Sequence, residues 1–120
     1  MNELIETIFN GFKVDNQLIP VSFLRYDGNS EAYITYQQVD SDGVVGADDE
    51  IINYVDYYDF DIFVKKYASV NYFEIIESVK DILNSNGFTW RPERTSADLY
   101  EDDTSYFHKT LNFAYFREEN

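Results

Sequence analysis

The chain has 120 residues, 44% of them apolar and none of them cysteine, and its 23 acidic against 9 basic residues leave a net charge of −14. That length fits one domain with a real core and argues against disorder. The lack of cysteine excludes disulfides, thiolate metal sites and cysteine nucleophiles, and the charge excludes a positive field for gripping nucleic-acid phosphate or an anionic membrane. Eleven Tyr and ten Phe suit half-exposed sheet faces and protein interfaces as well as a β-rich core. The opening MNELIETIFNGF lacks the basic and apolar regions of a signal peptide. No apolar run approaches the ~20 residues that cross a bilayer, so a soluble, intracellular product is expected.

In chain order, Leu4, Ile5, Ile8, Phe9 and Phe12 fall on one helical stripe, with Asn2 as a cap and Gly11 as a stop. Val21 to Tyr26 reads as a strand closed by the turn Asp27-Gly28-Asn29, and Ala32 to Val39 as a second strand rich in β-branched and aromatic residues. Ile51 to Val64 alternates: Ile52, Tyr54, Tyr58, Phe60, Ile62 and Val64 share a face, with Asn53, Asp59 and Asp61 opposite. Asp56 is the polar intruder on the apolar face, which suggests a bend or bulge there. Asn71 caps a second helix, with Glu74 at the capping-box position and Val70 stapling against Ile75. Asn86-Gly87 ends that helix and turns Phe88 back toward Leu83. Phe88 to Trp90 makes a short strand, Arg91 to Thr104 a long loop, and Tyr106 to Phe116 the last strand. On that strand Phe107, Lys109, Leu111, Phe113 and Tyr115 share one face, with His108, Thr110 and Asn112 on the other. The order α-β-β-β-α-β predicts a single α+β domain, residues 1–120, with a mixed, mainly antiparallel sheet and two main helices packed on it.

Two acidic stretches invite a metal reading. VDSDGVVGADDE, residues 39–50, resembles an EF-hand loop, which needs oxygen ligands at positions 1, 3, 5 and 12 around a glycine at 6. With Gly43 as that glycine, Gln38 stands at position 1 and Asp49 at position 12, and both flanks read as strands where an EF-hand has helices. The stretch is read instead as a charged hairpin excursion with Asp42-Gly43 making the turn. Asp98, Glu101, Asp102 and Asp103 follow no ligand spacing. His108 is the lone histidine and has no recognisable nucleophile or carboxylate partner at a fixed spacing. The residues argue against an enzyme and against a cofactor or metal site.

Asp98 to Glu119, DLYEDDTSYFHKTLNFAYFREE, follows a helix ending in Asn86-Gly87-Phe88, which itself follows the strand YDFDIFVKKY. This combination resembles the tail terminator (tail completion) proteins of long-tailed phages and Gram-positive prophages. There an acidic Tyr-Glu-x-Asp-Thr stretch precedes a final strand carrying a histidine-lysine pair. The matching positions are Tyr100, Glu101, Asp103, Thr104, His108 and Lys109, and the resemblance spans roughly Ile51 to Glu119. It implies a cofactor-free structural protein that assembles as a ring, usually a hexamer, on the end of the tail tube. Its implied partners are its own copies, the tail tube protein and the head–tail connector protein. Its implied place is the head-proximal end of the virion tail, after synthesis in the host cytoplasm.

A ring through which DNA slides gains from an acidic lumen. Asp40, Asp42, Asp48, Asp49 and Glu50 are the lumen or tube candidates, with Tyr100, Glu101 and Asp103 as further interaction candidates. The alternative is a small acidic binding protein, such as an immunity protein, an antitoxin or a DNA mimic, that blocks a basic partner. Charge, size and aromatic content fit it equally well.

Overall fold

The alternation read in the third strand builds the centre of the molecule, which a computed structural model describes for residues 2–45 and 51–118. Strand β5 (Ile51–Lys65) buries Tyr58, Phe60, Ile62 and Val64 on one face. Beside it run β4 (Ala32–Val45), burying Ala32, Ile34 and Tyr36, and β8 (Tyr106–Glu118), burying Leu111 and Phe113. Both pair with β5 antiparallel, and Phe60 lies opposite Tyr36 on one side and Leu111 on the other.

Helix α2 (Tyr72–Ser85) lays Ile75, Ile76, Val79 and Leu83 on this face. Its first turn is capped by the Asn71 carboxamide oxygen, which accepts the Phe73 and Glu74 backbone N–H groups at 2.9 and 3.1 Å. Gly87 leaves the helix at φ +89°, a conformation that costs glycine nothing. Helix α1 (Asn2–Ile8) opens at Asn2 itself and adds Ile5, with Phe9 and Phe12 following it into the core. Phe60 is the hub: its ring lies 5.6 to 6.3 Å from those of Phe9, Tyr36, Phe88 and Phe113, spacings at which aromatic pairs attract beyond their burial.

The sheet order is β3 (Val21–Phe23), β4, β5, β8 and β6 (Phe88–Trp90), with β7 (Leu99–Glu101) also on β8. Strand β3 runs parallel to β4, against Ile34 to Tyr36. It stops three residues before the expected Tyr26, because Leu24 takes φ +65° and Arg25 N–H bonds the Phe23 carbonyl at 2.7 Å. That is a γ-turn of the rare positive-φ kind. The two-stranded sheet of β1 (Lys13–Val14) and β2 (Gln17–Leu18) is an addition to the expected elements. Its turn residues Asp15 and Asn16 both have positive φ, the chemistry of a two-residue hairpin. Between Arg91 and Thr104, where a loop was expected, lie a 3₁₀ turn (Pro92–Arg94) and β7 (Leu99–Glu101). Strands β6 (Phe88–Trp90) and β7 share the outer edge of β8, pairing with its two halves.

The acidic stretch departs most from expectation. Asp40 to Val45 continue β4 and pair with β5, so Asp42-Gly43 makes no turn; residues 46–50 of the stretch lie outside the described residues. The register shifts between Gln38 and Asp40, and again between Val44 and Val45; the first shift leaves Val39 as the extra residue of a β-bulge opposite Tyr57 and Tyr58. The bulge brings Ser41 opposite Asp56. The Asp56 carboxylate, with its side chain 3% exposed, accepts the Ser41 hydroxyl at 2.7 Å and Arg117 Nε at 2.7 Å. Arg117 also stacks over Tyr54 at 4.4 Å. The intruder on the apolar face is thus a buried, paired carboxylate at the root of a projecting ribbon.

Removing Asp56 leaves Arg117 and Ser41 without their shared acceptor. Asp56→Ala is expected to destabilise the fold by about 2 kcal/mol in urea unfolding. A loss below about 0.5 kcal/mol would show that the pair does not secure the ribbon.

Candidate functional site

Both helices cover one side of the sheet. The other side carries Tyr33, Thr35 and Gln37 of β4, Tyr57, Asp59, Asp61 and Phe63 of β5, and Tyr106, His108, Thr110 and Asn112 of β8, as the cross-strand register requires. At one end four rings stack in sequence, Tyr26 on Tyr33 at 4.6 Å, Tyr33 on Phe63 at 4.7 Å and Phe63 on His108 at 4.2 Å. In the middle, Asp61 Oδ1 lies 3.2 Å from His108 Nε2 and accepts the Thr110 hydroxyl. Thr110 therefore donates to the acid and not to the imidazole, so the histidine does not activate that hydroxyl. Asn112 Nδ2 donates to Asp59 at 2.8 Å and its Oδ1 accepts from Arg91 at 3.2 Å. Among the described residues no group of three or more His, Asp or Glu is placed to hold a metal ion.

Beyond the bulge this face holds the first pair of predicted residues. Asp40 and Asp42, both exposed, stand opposite Tyr57 and Val55. With Val39, Tyr57, Arg91, Arg94 and Asn112 they line a cavity of about 310 Å³. One wall is acidic and the other basic, over a floor where the Arg91 guanidinium stacks on Tyr57 at 4.1 Å. Neither arginine was singled out from the sequence; the one local cue was the Arg91-Pro92 junction, which restricts the Arg91 backbone, while the guanidinium is placed by Tyr57 and Asn112. Asp48, Asp49 and Glu50 lie outside the described residues.

The second group sits at the opposite end. Tyr100 and Glu101 belong to β7 and pair with Phe107 and Tyr106. Asp103 lies in the turn where Ser105 N–H returns to the Glu101 carbonyl at 2.8 Å. Asp42 lies opposite Val55 and Tyr106 opposite Lys65, so roughly 34 Å of strand separates the two groups at about 3.4 Å per residue. The structure does not bring them together. Tyr100 instead joins an exposed aromatic cluster: it contacts Phe107 at 5.2 Å, Phe107 contacts Tyr72 at 5.6 Å, and Tyr72 contacts Phe73 at 5.2 Å. Lys66 lies over both Tyr67 and Tyr100.

Asp98 ties this end together. Its carboxylate accepts the Tyr72 hydroxyl at 2.7 Å and Lys109 Nζ at 3.1 Å. The Tyr72 hydrogen bond, then the Lys109 ammonium, hold the carboxyl below the usual carboxylate range, while burial and the same bond push the Tyr72 phenol up. No protein-family model matches the chain, and no curated protein is significantly similar to it.

A depressed carboxyl pKa adds stability that is present above the ordinary carboxylate range and fades as pH falls through the folded value. Asp98→Asn is therefore expected to be less stable than the parent at pH 7, by less than about 1 kcal/mol because water reaches the pair. The gap should close in acid. Thermal melts across pH read this directly, and a gap that persists in acid would assign the loss to something other than the charge.

Proposed function

We propose that this chain is a ring-forming structural protein of the tail terminator kind, which caps the tail tube, stops its polymerisation and offers the surface that a head–tail connector joins. One observation carries the reading: each outer edge of the sheet exposes large apolar side chains, and the two sets are unlike each other. At the β3 edge Phe23 and Leu24 are 46% and 57% exposed; at the β7 edge Leu99, Tyr100, Tyr67 and Phe73 are 41% to 84% exposed. A closed ring joins copies head to tail, so each subunit needs two different adhesive surfaces. Exposed apolar groups of this size mark such contacts. Asp40 and Asp42 on the ribbon suit a lumen or rim that repels DNA, a benefit every copy in a ring multiplies.

A second reading, a small acidic binding protein that blocks a basic partner, draws support from those same two aspartates. They lie exposed along one strand, with no basic partner among the described residues.

Electron microscopy of the protein with its cognate tail tubes separates the two. The terminator reading expects rings on tube ends and arrested elongation, and tubes that keep growing with bare ends would sink it. Leu24→Glu and Tyr100→Glu each alter one exposed edge, so both are expected to fold within about 0.5 kcal/mol of the parent. Neither should cap tubes alone. Mixed together they should reach heterodimers and go no further, because only one intact interface is left. Caps formed by either variant alone would remove that edge from the ring.

A further inference from the structure

We propose that the outer edge of β4, from Gln38 to Val45, is a docking strand for an extended, basic segment of a partner protein, which adds to the sheet there as a new strand. The proposal rests on the edge and its charge, and it stands whether or not the chain forms rings.

The edge is vacant for a structural reason. Strand β3 covers β4 only from Ile34 to Tyr36, because the γ-turn at Leu24 carries the chain away from the sheet. From Gln38 onward no strand among the described residues lies on that side, while the other side is paired to β5 as far as Val45. A leucine at φ +65° is a conformation that L-residues avoid. Here it ends β3 and leaves Leu24 exposed near the vacancy, with Val39, 45% exposed, farther along. Unpaired strand edges accept any strand of suitable chemistry unless something guards them. This one carries three guards: the bulge at Val39, the charges of Asp40 and Asp42, and the Asp40 carboxylate, which accepts the Ser41 backbone N–H at 2.8 Å.

Two of those guards choose the guest. A second copy brings its own −14 and the same aspartates, so like charges oppose pairing of this edge with itself. A lysine or arginine on an added strand does the reverse. It draws the Asp40 carboxylate toward itself and so releases the Ser41 amide that the new ladder needs. The neighbouring cavity sets where that cation stops. Asp40 and Asp42 form its near wall, and Arg91 and Arg94 on the far wall repel anything that reaches further. Main-chain hydrogen bonds would supply affinity, and the alternate side chains the selection, as in other strand-addition complexes.

The probe is the peptide acetyl-Lys-Val-Lys-Val-Lys-Val-Lys-amide, with two controls: the same peptide N-methylated on alternate residues, and its glutamate counterpart. Hydrogen exchange of the β4 amides between Gln38 and Val45 is expected to slow at least about tenfold at saturating lysine peptide. Neither control should protect them. Replacing both aspartates, D40N with D42N, is expected to weaken binding about tenfold. Both side chains are exposed, so the melting temperature should hold. No protection by the lysine peptide, or equal protection by the N-methylated peptide, overturns the proposal. So does protection that rises with protein concentration in the absence of peptide, which would assign the edge to a second copy.

Discussion

A single extra residue in β4 decides what the projecting ribbon presents. Because side chains alternate strictly along a strand, one slip in register moves every later residue to the opposite face. The bulge at Val39 makes that slip, and β5 and β8 stay in register with each other throughout. Past it Asp40 and Asp42 join the uncovered face beside Tyr57, and Ser41 turns inward to meet Asp56. Without the slip the aspartates would fall on the side of the ribbon that continues the apolar core face. The acidic wall of the cavity and the Ser41 hydroxyl on the buried carboxylate therefore have one geometric origin.

The two sides of the sheet are held by different physics. Under the helices the contacts are apolar and aromatic, gathered round Phe60, and burial supplies the energy. On the uncovered side almost every polar group of β5 and β8 is engaged across the strands: Asp59 by Asn112, Asp61 by His108 and Thr110, and Asn112 in turn by Arg91. Asn112 and Thr35 are nearly inaccessible there despite the missing layer. Satisfied networks of this kind cost little to bury and fix side-chain positions. That is how a strongly acidic chain keeps an ordered, uncovered sheet face, with His108 held by its stacking on Phe63 and its contact with Asp61.

Local rules made much of this legible. Both ends of α2 follow from Asn71 and from Asn86-Gly87, and the faces of β5 and β8 follow from alternation, so the α+β class, the core and the helix layer could be read from the chain. The failures share a cause. Asp42-Gly43 is a strong turn signal, yet tertiary pairing with β5 holds it in a strand, since turn chemistry is a local preference and a ladder is a collective one. Leu99 to Glu101 carries little strand signal and is strand only because β8 offers an edge. The Asp56–Arg117 pair was half visible as a lone acid at a core position, but its partner lies 61 residues away. Asp15-Asn16 was readable and was missed, because strands of two residues have no period to detect.

The ladder between β5 and β8 also bears on how the sheet comes together. Strands β4 and β5 are sequence neighbours and can pair early, whereas Lys65 must find Tyr106, and Asn53 must find Glu118, across α2 and every residue between. The entropy of closing that long loop falls on the contacts that complete the core around Phe60 and give Asp56 its cation. Topologies dominated by such distant pairings fold slowly for their size. Until β8 arrives, the hairpin has two open edges and an unneutralised carboxylate between them. Like charges along β4 oppose the pairing of two such unfinished hairpins.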